Sequence, residues 1–307
     1  AQKCIESNGK VLFVMNRRGY SSFLQCAECD FIEECPKCHL PVVFHKDDMS
    51  MKCHLCGWTE PHAPASCKRC GGYHIQMLGA GTQKIQEDIE RVLGSRTLRL
   101  DSDKAAKRSE MEGLLSAAFQ DDMRIIVGTK LAARRVGSAG GFSMAAYLNA
   151  DLSLHLPDFR STERMFQEII TLADQVEPDG TLFVQTRMPS MPLFRYLKKH
   201  DYSGFFREEL RRRRSLRYPP VAKLILITCI SKRDLTGELS EIIDDSDRQV
   251  ETLGPSVAAT PQGKYECKVL LKSTDRIKLR AIAEKFVRAF RKEKDITLRV
   301  NVDPVTV

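Results

Sequence analysis

The sequence has 307 residues, a net charge of +8, 42% hydrophobic residues and 29% charged residues, a composition typical of a globular protein with two or three compact domains. No run approaches the roughly 18 apolar residues of a membrane-spanning helix, and the first residues lack the basic, apolar and small-residue order of a signal peptide. We therefore expect a cytoplasmic protein without membrane contacts, and the basic charge suggests a polyanionic partner without identifying one.

The chain opens with an apolar run that is followed by clustered cysteines. Residues 10–20, KVLFVMNRRGY, predict a buried parallel strand and then a loop at Gly19. Residues 26–70 contain four Cys-x-x-Cys pairs, and only three cysteines of the chain lie outside this segment. The pairs are Cys26/Cys29, Cys35/Cys38, Cys53/Cys56 and Cys67/Cys70.

Metal binding explains these cysteines better than disulfides do. In a reducing cytosol, clustered Cys-x-x-Cys pairs favour a metal. The two-residue gap lets both thiolates of a knuckle reach one ion at about 2.3 Å, and two knuckles complete a closed tetrahedral zinc site. Four knuckles therefore predict two structural zinc ions. An iron–sulfur cluster and redox-active thiols are the alternatives.

The knuckles can pair in sequence (first with second, third with fourth) or in a nested way (second with third, first with fourth). Only five residues separate Cys29 from Cys35, which is short for a hairpin within one site, whereas residues 39–52 can form a ribbon hairpin. Nesting is therefore favoured. It assigns Cys26, Cys29, Cys67 and Cys70 to the first zinc, and Cys35, Cys38, Cys53 and Cys56 to the second.

The segments after the cysteines alternate between strand and helix patterns. They are IQML with a glycine turn and an amphipathic helix (75–93), TLRLDSD with a helix to about residue 120, RIIVGTK, AAYLNADLSL and TLFVQTR. This alternation predicts an α/β fold with a doubly wound parallel sheet. The glycine turn matches neither the dinucleotide-binding fingerprint nor the Walker A motif.

The last third of the chain predicts basic surfaces and a second sheet. Residues 211–217, RRRRSLR, continue a helix that either contacts phosphates or is a solvated helix end, and residues 264–300 hold twelve Lys or Arg against five Asp or Glu. The candidate DNA-binding residues are Arg211, Arg212, Arg213, Arg214, Lys268, Lys272 and Lys278, with ordinary surface charge as the alternative. After Pro219 and Pro220, the pattern βαββαβ predicts a small α+β sandwich.

Short motifs in this chain occur in the order found in one family. They are NRRGY (16–20), the four cysteine pairs, GAGTQ (79–83), RLDSD (99–103), VGT (127–129), DFRSTER (158–164), RRSLRYPP (213–220) and VNVDP (300–304). In this order they resemble the primosomal replication-restart helicase family, PriA, over essentially the whole chain. The resemblance implies a RecA-like second helicase lobe in residues 1–25 and 76–203, an inserted zinc module in residues 26–75, and a C-terminal domain for DNA or partner binding in residues 204–307.

Motor motifs of that family are missing from these residues. The sequence contains no G-x-x-x-x-G-K-[ST] and no DEAH-like box, so the ATP phosphate cradle is absent; either the chain is a fragment or the first lobe lies elsewhere. Where the family has Q-x-x-G-R-A-G-R, residues 171–180 read TLADQVEPDG. The resemblance therefore identifies no catalytic residue and does not decide whether ATP is bound or hydrolysed.

Three functions follow from these patterns. The leading one is a replication-restart primosome component that binds branched or single-stranded DNA and helps load other replication proteins, with a degenerate ATPase. The second is an active 3′-to-5′ DNA helicase whose first motor lobe lies outside this chain. The third is a zinc-ribbon interaction protein that uses a RecA-like lobe as a scaffold and does not bind DNA.

Overall fold

A computed structural model of the chain describes most of its residues. They are residues 1–15, 23–37, 41–45, 49–53, 56–78, 82–100, 113–114, 116, 123–129, 141–154, 158–244, 249–260 and 263–304. The motif residues 16–20, 79–81 and 101–103 lie outside these ranges, and so does the candidate zinc ligand Cys38.

The chain divides into two compact units, each built from separate stretches of sequence. The first comprises Ala1–Ser22, Leu78–His155 and Arg160–Tyr202, and the second comprises Phe23–Met77, Leu156–Phe159 and Ser203–Val307. The cysteine-rich segment thus belongs to the same unit as the C-terminal residues.

The described strands and helices are numbered in chain order. The strands are β1 (Val11–Met15), β2 (Phe23–Cys26), β3 (Val43–His45), β4 (Ser50–Lys52), β5 (Thr59–Glu60), β6 (Ile75–Leu78), β7 (Thr97–Leu100), β8 (Ile125–Thr129), β9 (Phe142–Leu148), β10 (Val176–Val184), β11 (Lys223–Ser231), β12 (Glu251–Ala259), β13 (Tyr265–Ser273) and β14 (Thr297–Val302). The helices are α1 (Gln2–Glu6), α2 (Thr82–Leu93), α3 (Ala150–Leu154), α4 (Ser161–Ala173), α5 (Pro192–Lys198), α6 (Tyr202–Ser215), α7 (Thr236–Asp244) and α8 (Arg276–Phe290). Among these helices, none is both long and apolar enough to cross a bilayer.

The first unit contains a parallel sheet with the strand order β10-β9-β1-β8-β7. Its central strands β1 and β8 are buried at every position, because each is an apolar run covered on both faces, as expected for a parallel sheet. The predicted mixed α/β fold with a parallel sheet is therefore confirmed.

Helices cover this sheet through apolar contacts and through hydrogen bonds of the Tyr147 hydroxyl. On one face, Phe13 and Val127 belong to an apolar cluster that includes Ile85 of α2. Elsewhere in the unit, the hydroxyl of Tyr147 on β9 donates to Glu168 of α4 at 3.0 Å. Burial raises the pKa of Tyr147, and the charge of Glu168 adds to the effect. The hydroxyl therefore stays protonated and remains a donor.

The second unit contains an antiparallel sheet with the strand order β12-β13-β11-β14. Helices α7 and α8 cover one of its faces. Leu239 of α7 and Phe286 of α8 are fully buried there, in one cluster with Ile227 and Val269 of the sheet. The N-terminus of α8 is capped by Asp275, whose carboxylate accepts from the amides of the second and third residues that follow it.

The opposite face of this sheet is covered by the cysteine-rich segment. Leu224 of β11 and Leu270 of β13 share a buried cluster with Val42, Phe44 and Met51. Strands β3 and β4, which lie in the predicted ribbon hairpin, supply part of this cover and pair in the antiparallel sense. Strand β11 is thus buried on both faces, which explains its nearly continuous apolar sequence LILITCI (224–230).

Candidate metal centres and basic surfaces

Two tight turns build the first cysteine cluster. After Cys26, the amide of Asp30 donates to the carbonyl oxygen of Cys26 at 3.0 Å, and after Cys67 the amide of Gly71 donates to the carbonyl oxygen of Cys67 at 2.8 Å. Each turn brings the two thiols of its pair to one side. The sulfur atoms of Cys26, Cys29, Cys67 and Cys70 all lie within 4.8 Å of one another.

A second cluster contains Cys35, Cys53 and Cys56, and all three are buried. The sulfur atoms of Cys35 and Cys56 are 3.4 Å apart. The amide of Gly57 donates to the carbonyl oxygen of Cys53 at 2.9 Å, which closes a turn of the same kind. The structure thus brings the first knuckle next to the fourth, and a thiol of the second knuckle next to the third.

The sulfur spacing fits tetrahedral metal ligands and excludes disulfides. In the first cluster, Cys26 and Cys70 have their sulfur atoms 3.6 Å apart, and those of Cys29 and Cys67 are 3.5 Å apart. A disulfide bond measures about 2.05 Å. Ligands at about 2.3 Å from a tetrahedral zinc ion are about 3.8 Å apart. Clustered thiols in closed sites are the donors of structural zinc, and the two clusters are suited to two structural zinc ions.

Electrostatics also favour a cation in the first cluster. Burial raises the pKa of Cys67, but hydrogen bonds from the backbone amides of Cys70 and Arg69, together with those from the thiols of Cys29 and Cys70, lower the pKa to about 7. The amide of Gly72 lowers the pKa of Cys70, yet the thiol of Cys29 and burial together contribute to raising it to about 12. Neighbouring thiols thus prevent one another from ionising together, and a divalent cation relieves this repulsion.

The second cluster is packed against the C-terminal sheet. Cys53 is buried in the same apolar cluster as Leu224 and Leu270. Gly57 lies so close to β12 that a Cβ atom at this position would overlap the carbonyl oxygen of Pro255. This metal centre is therefore part of the cover of one sheet face.

Replacing Gly57 with alanine is expected to weaken this packing. Gly57 and Gly71 follow corresponding cysteines and have the same φ of +75°, but a Cβ atom at Gly71 would have no atom within 4 Å. Both substitutions carry the cost of a left-handed backbone, about 1–2 kcal/mol, and Gly57→Ala adds about 1–3 kcal/mol from overlap with Pro255. Urea unfolding followed by circular dichroism compares the two variants. Equal losses of stability would contradict the close approach to β12.

Arg213 and Lys272 flank a buried aromatic pair. The rings of Phe159 and Tyr218 stack with their centroids 4.8 Å apart. The guanidinium of Arg213 lies 5.2 Å from the centroid of Phe159, and Nζ of Lys272 lies 4.7 Å from that of Tyr218. Arg213 also pairs with Glu209 at 2.8 Å, and its side chain is only 12% exposed. The side chains of Arg213 and Lys272 thus interact with aromatic rings inside the second unit.

The other predicted DNA-binding residues keep more of their charge at the surface. The side chain of Arg211 is 77% exposed. Arg212 and Arg214 are also exposed on α6, and Lys268 and Lys278 are partly exposed on β13 and α8. DNA contact by these residues stays a prediction.

Two protein-family models match this chain. Residues 214–305 match the model described as "Primosomal protein N C-terminal domain", and residues 35–61 match "PriA DNA helicase Cys-rich region (CRR) domain". The chain carries the PriA C-terminal domain and the PriA Cys-rich region. The second match covers the buried metal centre and its contact with the sheet.

Curated relatives match nearly the whole chain. Replication restart protein PriA of Bacillus subtilis (strain 168) is 31% identical over 99% of it. The PriA proteins of Chlamydia pneumoniae and Haemophilus influenzae are 28% and 29% identical, each over 98%. The chain spans 39%, 42% and 43% of the lengths of these three relatives. The resemblance to PriA found from the short motifs is therefore confirmed.

Residues 171–180, in which the resemblance predicts the arginine motif, form a helix end and an edge strand. Helix α4 ends at Ala173 and β10 begins at Val176, so two residues connect them. The Glu177 carboxylate accepts from the hydroxyl of Ser143 at 2.9 Å. The backbone of Gly180 approaches β9 so closely that a Cβ atom would not fit, and this accommodates a register shift in the strand. The sequence between residues 164 and 187 contains no arginine.

Proposed function

We propose that the protein is a component of the replication-restart primosome that binds branched or single-stranded DNA and helps load other replication proteins. The observation that carries this proposal is the presence of the PriA Cys-rich region and the PriA C-terminal domain in one chain. The net charge of +8 supports contacts with DNA phosphates, and so do the exposed arginines of α6.

In this proposal the chain has three functional parts. A RecA-like second lobe comprises residues 1–25 and 76–203. The observation in favour of this assignment is the parallel sheet of the first unit. The zinc module comprises residues 26–75, and the C-terminal domain comprises residues 204–307. Cys26, Cys29, Cys67 and Cys70 hold one zinc ion, and Cys35, Cys38, Cys53 and Cys56 hold the other. Zinc supplies no reaction chemistry here; its ligands fix the tight turns of the module, and those of the second site pack against the C-terminal sheet.

ATP hydrolysis is not part of the proposed function. Arginines stabilise the charge that develops during phosphoryl transfer, and losing one reduces the rate by a factor of about 10³ or more. The edge strand β10 instead presents Glu177 and Asp179, which are exposed. Negative charge at this place would oppose phosphate binding.

A second candidate function is an active 3′-to-5′ DNA helicase. The observation in its favour is that the chain spans 39% to 43% of the three relatives, so a first motor lobe could be supplied by residues beyond this sequence. In that case another arginine would have to replace the one missing from residues 171–180.

The DNA-binding proposal predicts a steep dependence of affinity on salt. Each phosphate neutralised by the protein should contribute about −0.7 to −0.9 to the slope of log affinity against log salt concentration. Fluorescence anisotropy with a labelled forked oligonucleotide, measured at several salt concentrations, gives this slope. The absence of binding, or a slope near zero, would favour a zinc-ribbon interaction protein that does not contact DNA.

A further inference from the structure

Two knuckles of the cysteine-rich segment have the same backbone turn and different surroundings. In Cys53–Cys56 and in Cys67–Cys70, the amide of the next glycine donates to the carbonyl oxygen of the first cysteine, at 2.9 Å and 2.8 Å. A Cβ atom at Gly57 would overlap β12, whereas a Cβ atom at Gly71 would have no atom within 4 Å. The knuckle before Gly57 is thus covered by the C-terminal sheet, and the knuckle before Gly71 is open on that side.

The thiols of the two centres differ in exposure in the same way. Cys35, Cys53 and Cys56 of the second centre are at most 6% exposed. In the first centre, Cys70 is exposed and Cys29 is partly exposed. Among the ligands that the structure describes, Cys70 is therefore the thiol that a reagent in solution reaches most readily.

The surroundings of Cys70 favour reaction of its thiol with an oxidant. Reactive cysteines are accessible, lie beside a positive charge and have a second thiol within reach. Arg69 directly precedes Cys70 and is exposed. The sulfur atom of Cys26 lies 3.6 Å from that of Cys70, and Cys26 is only 1% exposed. Cys26 is therefore placed to react with an oxidised Cys70 and is shielded from a reagent in solution.

We propose that Cys70 is a peroxide-sensitive modification site whose oxidation releases zinc from the first centre. A thiol that binds zinc is a thiolate. The Cys70 thiolate attacks one oxygen of hydrogen peroxide, the O–O bond breaks, and a hydroxide ion departs from the sulfenic acid that forms on Cys70. The Cys26 thiolate then attacks this sulfur, forms a disulfide and displaces a second hydroxide ion. The two sulfur atoms together lose two electrons, which the peroxide gains.

The zinc ion is lost because the disulfide removes two of its four ligands. Cys29 and Cys67 alone do not close a tetrahedral site. The second centre should keep its ion, since its described thiols are buried against the C-terminal sheet. The inference rests on the proposed zinc ligands and is independent of DNA binding.

Peroxide titration of the zinc-loaded full chain tests this site. Released zinc is followed by the absorbance of its pyridylazoresorcinol complex, and disulfides are mapped by peptide mass spectrometry after alkylation of the free thiols. We expect release of one of two zinc ions together with a disulfide between Cys26 and Cys70, while Cys35, Cys53 and Cys56 stay reduced. Dithiothreitol with added zinc should restore the loaded state, because a disulfide is reversible whereas a sulfinic acid is not.

Cys70→His keeps a zinc ligand but removes the reacting sulfur. Three thiolates and one imidazole form a common structural zinc site, so this variant should still bind two zinc ions. Its zinc release by peroxide should be at least about tenfold slower, because the remaining thiols are less exposed. The matched control Cys4→Ser removes a partly exposed cysteine outside both centres and should release zinc at the wild-type rate.

Other results would overturn the inference. Release of both zinc ions together would contradict the protection of the second centre. A disulfide that lacks Cys70, or release at the wild-type rate from zinc-loaded Cys70→His, would exclude Cys70 as the reacting thiol, and a Cys67–Cys70 disulfide would exclude Cys26 as its partner. If Cys70→His binds only one zinc ion, the disulfide map of the wild-type chain decides. If the untreated chain holds no zinc, the zinc assignment fails as well; if it holds two ions and peroxide releases neither, only this inference fails.

Discussion

Cys35→Ser is expected to remove one of two zinc ions and to destabilise the C-terminal sheet. Cys35 is fully buried, and its cluster includes Leu224 and Leu270 of that sheet. Structural zinc contributes about 10 kcal/mol or more to the folding of small zinc domains, so the free energy of unfolding should fall by about 3 kcal/mol or more. Zinc content by atomic emission and hydrogen exchange of strands β11 and β13 measure the two effects.

Two matched variants separate metal loss from simple loss of a thiol. Cys4→Ser changes a cysteine outside both clusters and should keep both zinc ions and wild-type exchange rates. Cys70→Ser changes an exposed ligand of the first cluster; it should remove one zinc ion while β11 and β13 stay better protected than in Cys35→Ser. Two zinc ions in Cys35→Ser, or unchanged protection of its C-terminal sheet, would refute the structural role of this centre.

The second large effect concerns ATP. A full-length protein containing this chain is expected to hydrolyse ATP on forked DNA at least about 10³-fold more slowly than a PriA relative that retains the arginine motif, because that motif supplies the charge stabilisation of the transition state. Steady-state phosphate release with and without the fork gives the rates. The structural reason is that only two residues connect α4 to β10 and that the sequence between residues 164 and 187 contains no arginine.

The matched control is made in the relative rather than in this chain. Replacing the arginines of its motif with glutamine should lower its rate to that of the present protein while leaving its DNA binding intact. DNA-stimulated hydrolysis by the present protein at the rate of the unmodified relative would instead establish the helicase alternative, and residues 171–180 would then be no obstacle to catalysis.

The sequence predicted the elements of the fold better than their packing. The parallel sheet follows from local apolar runs such as Val11–Met15, and the clustered knuckles follow from their two-residue spacing. Neither pattern indicated that the cysteine-rich segment covers one face of the C-terminal sheet, because these residues are far apart in sequence. A signal was present in residues 224–230, since a continuous apolar run in an antiparallel strand indicates burial on both faces.

Composition also could not separate basic residues with different environments. Arg211 and Arg213 belong to the same run of arginines, but helix periodicity turns Arg213 towards Glu209 and Phe159 and leaves Arg211 at the surface. Lys272 lies in a strongly basic segment, yet its side chain is 6% exposed and pairs with Glu251. Glu209 lies only four residues from Arg213, but Phe159 and Glu251 come from distant parts of the chain, so local charge counts contain no information about these two partners.

The contact between the cysteine-rich segment and the C-terminal sheet has a consequence for protein synthesis. The ribosome completes the knuckles about 150 residues before it begins the strand β11 that they cover, an interval of about 10–30 s at ordinary elongation rates. During that interval Val42, Phe44 and Met51 have no sheet to pack against. A segment folded around a metal ion can keep a defined conformation until β11 has been synthesised. A segment that relied on apolar burial alone would leave its apolar side chains exposed and prone to misassembly during this interval. Zinc supply during translation, rather than afterwards, should therefore determine the yield of correctly assembled protein.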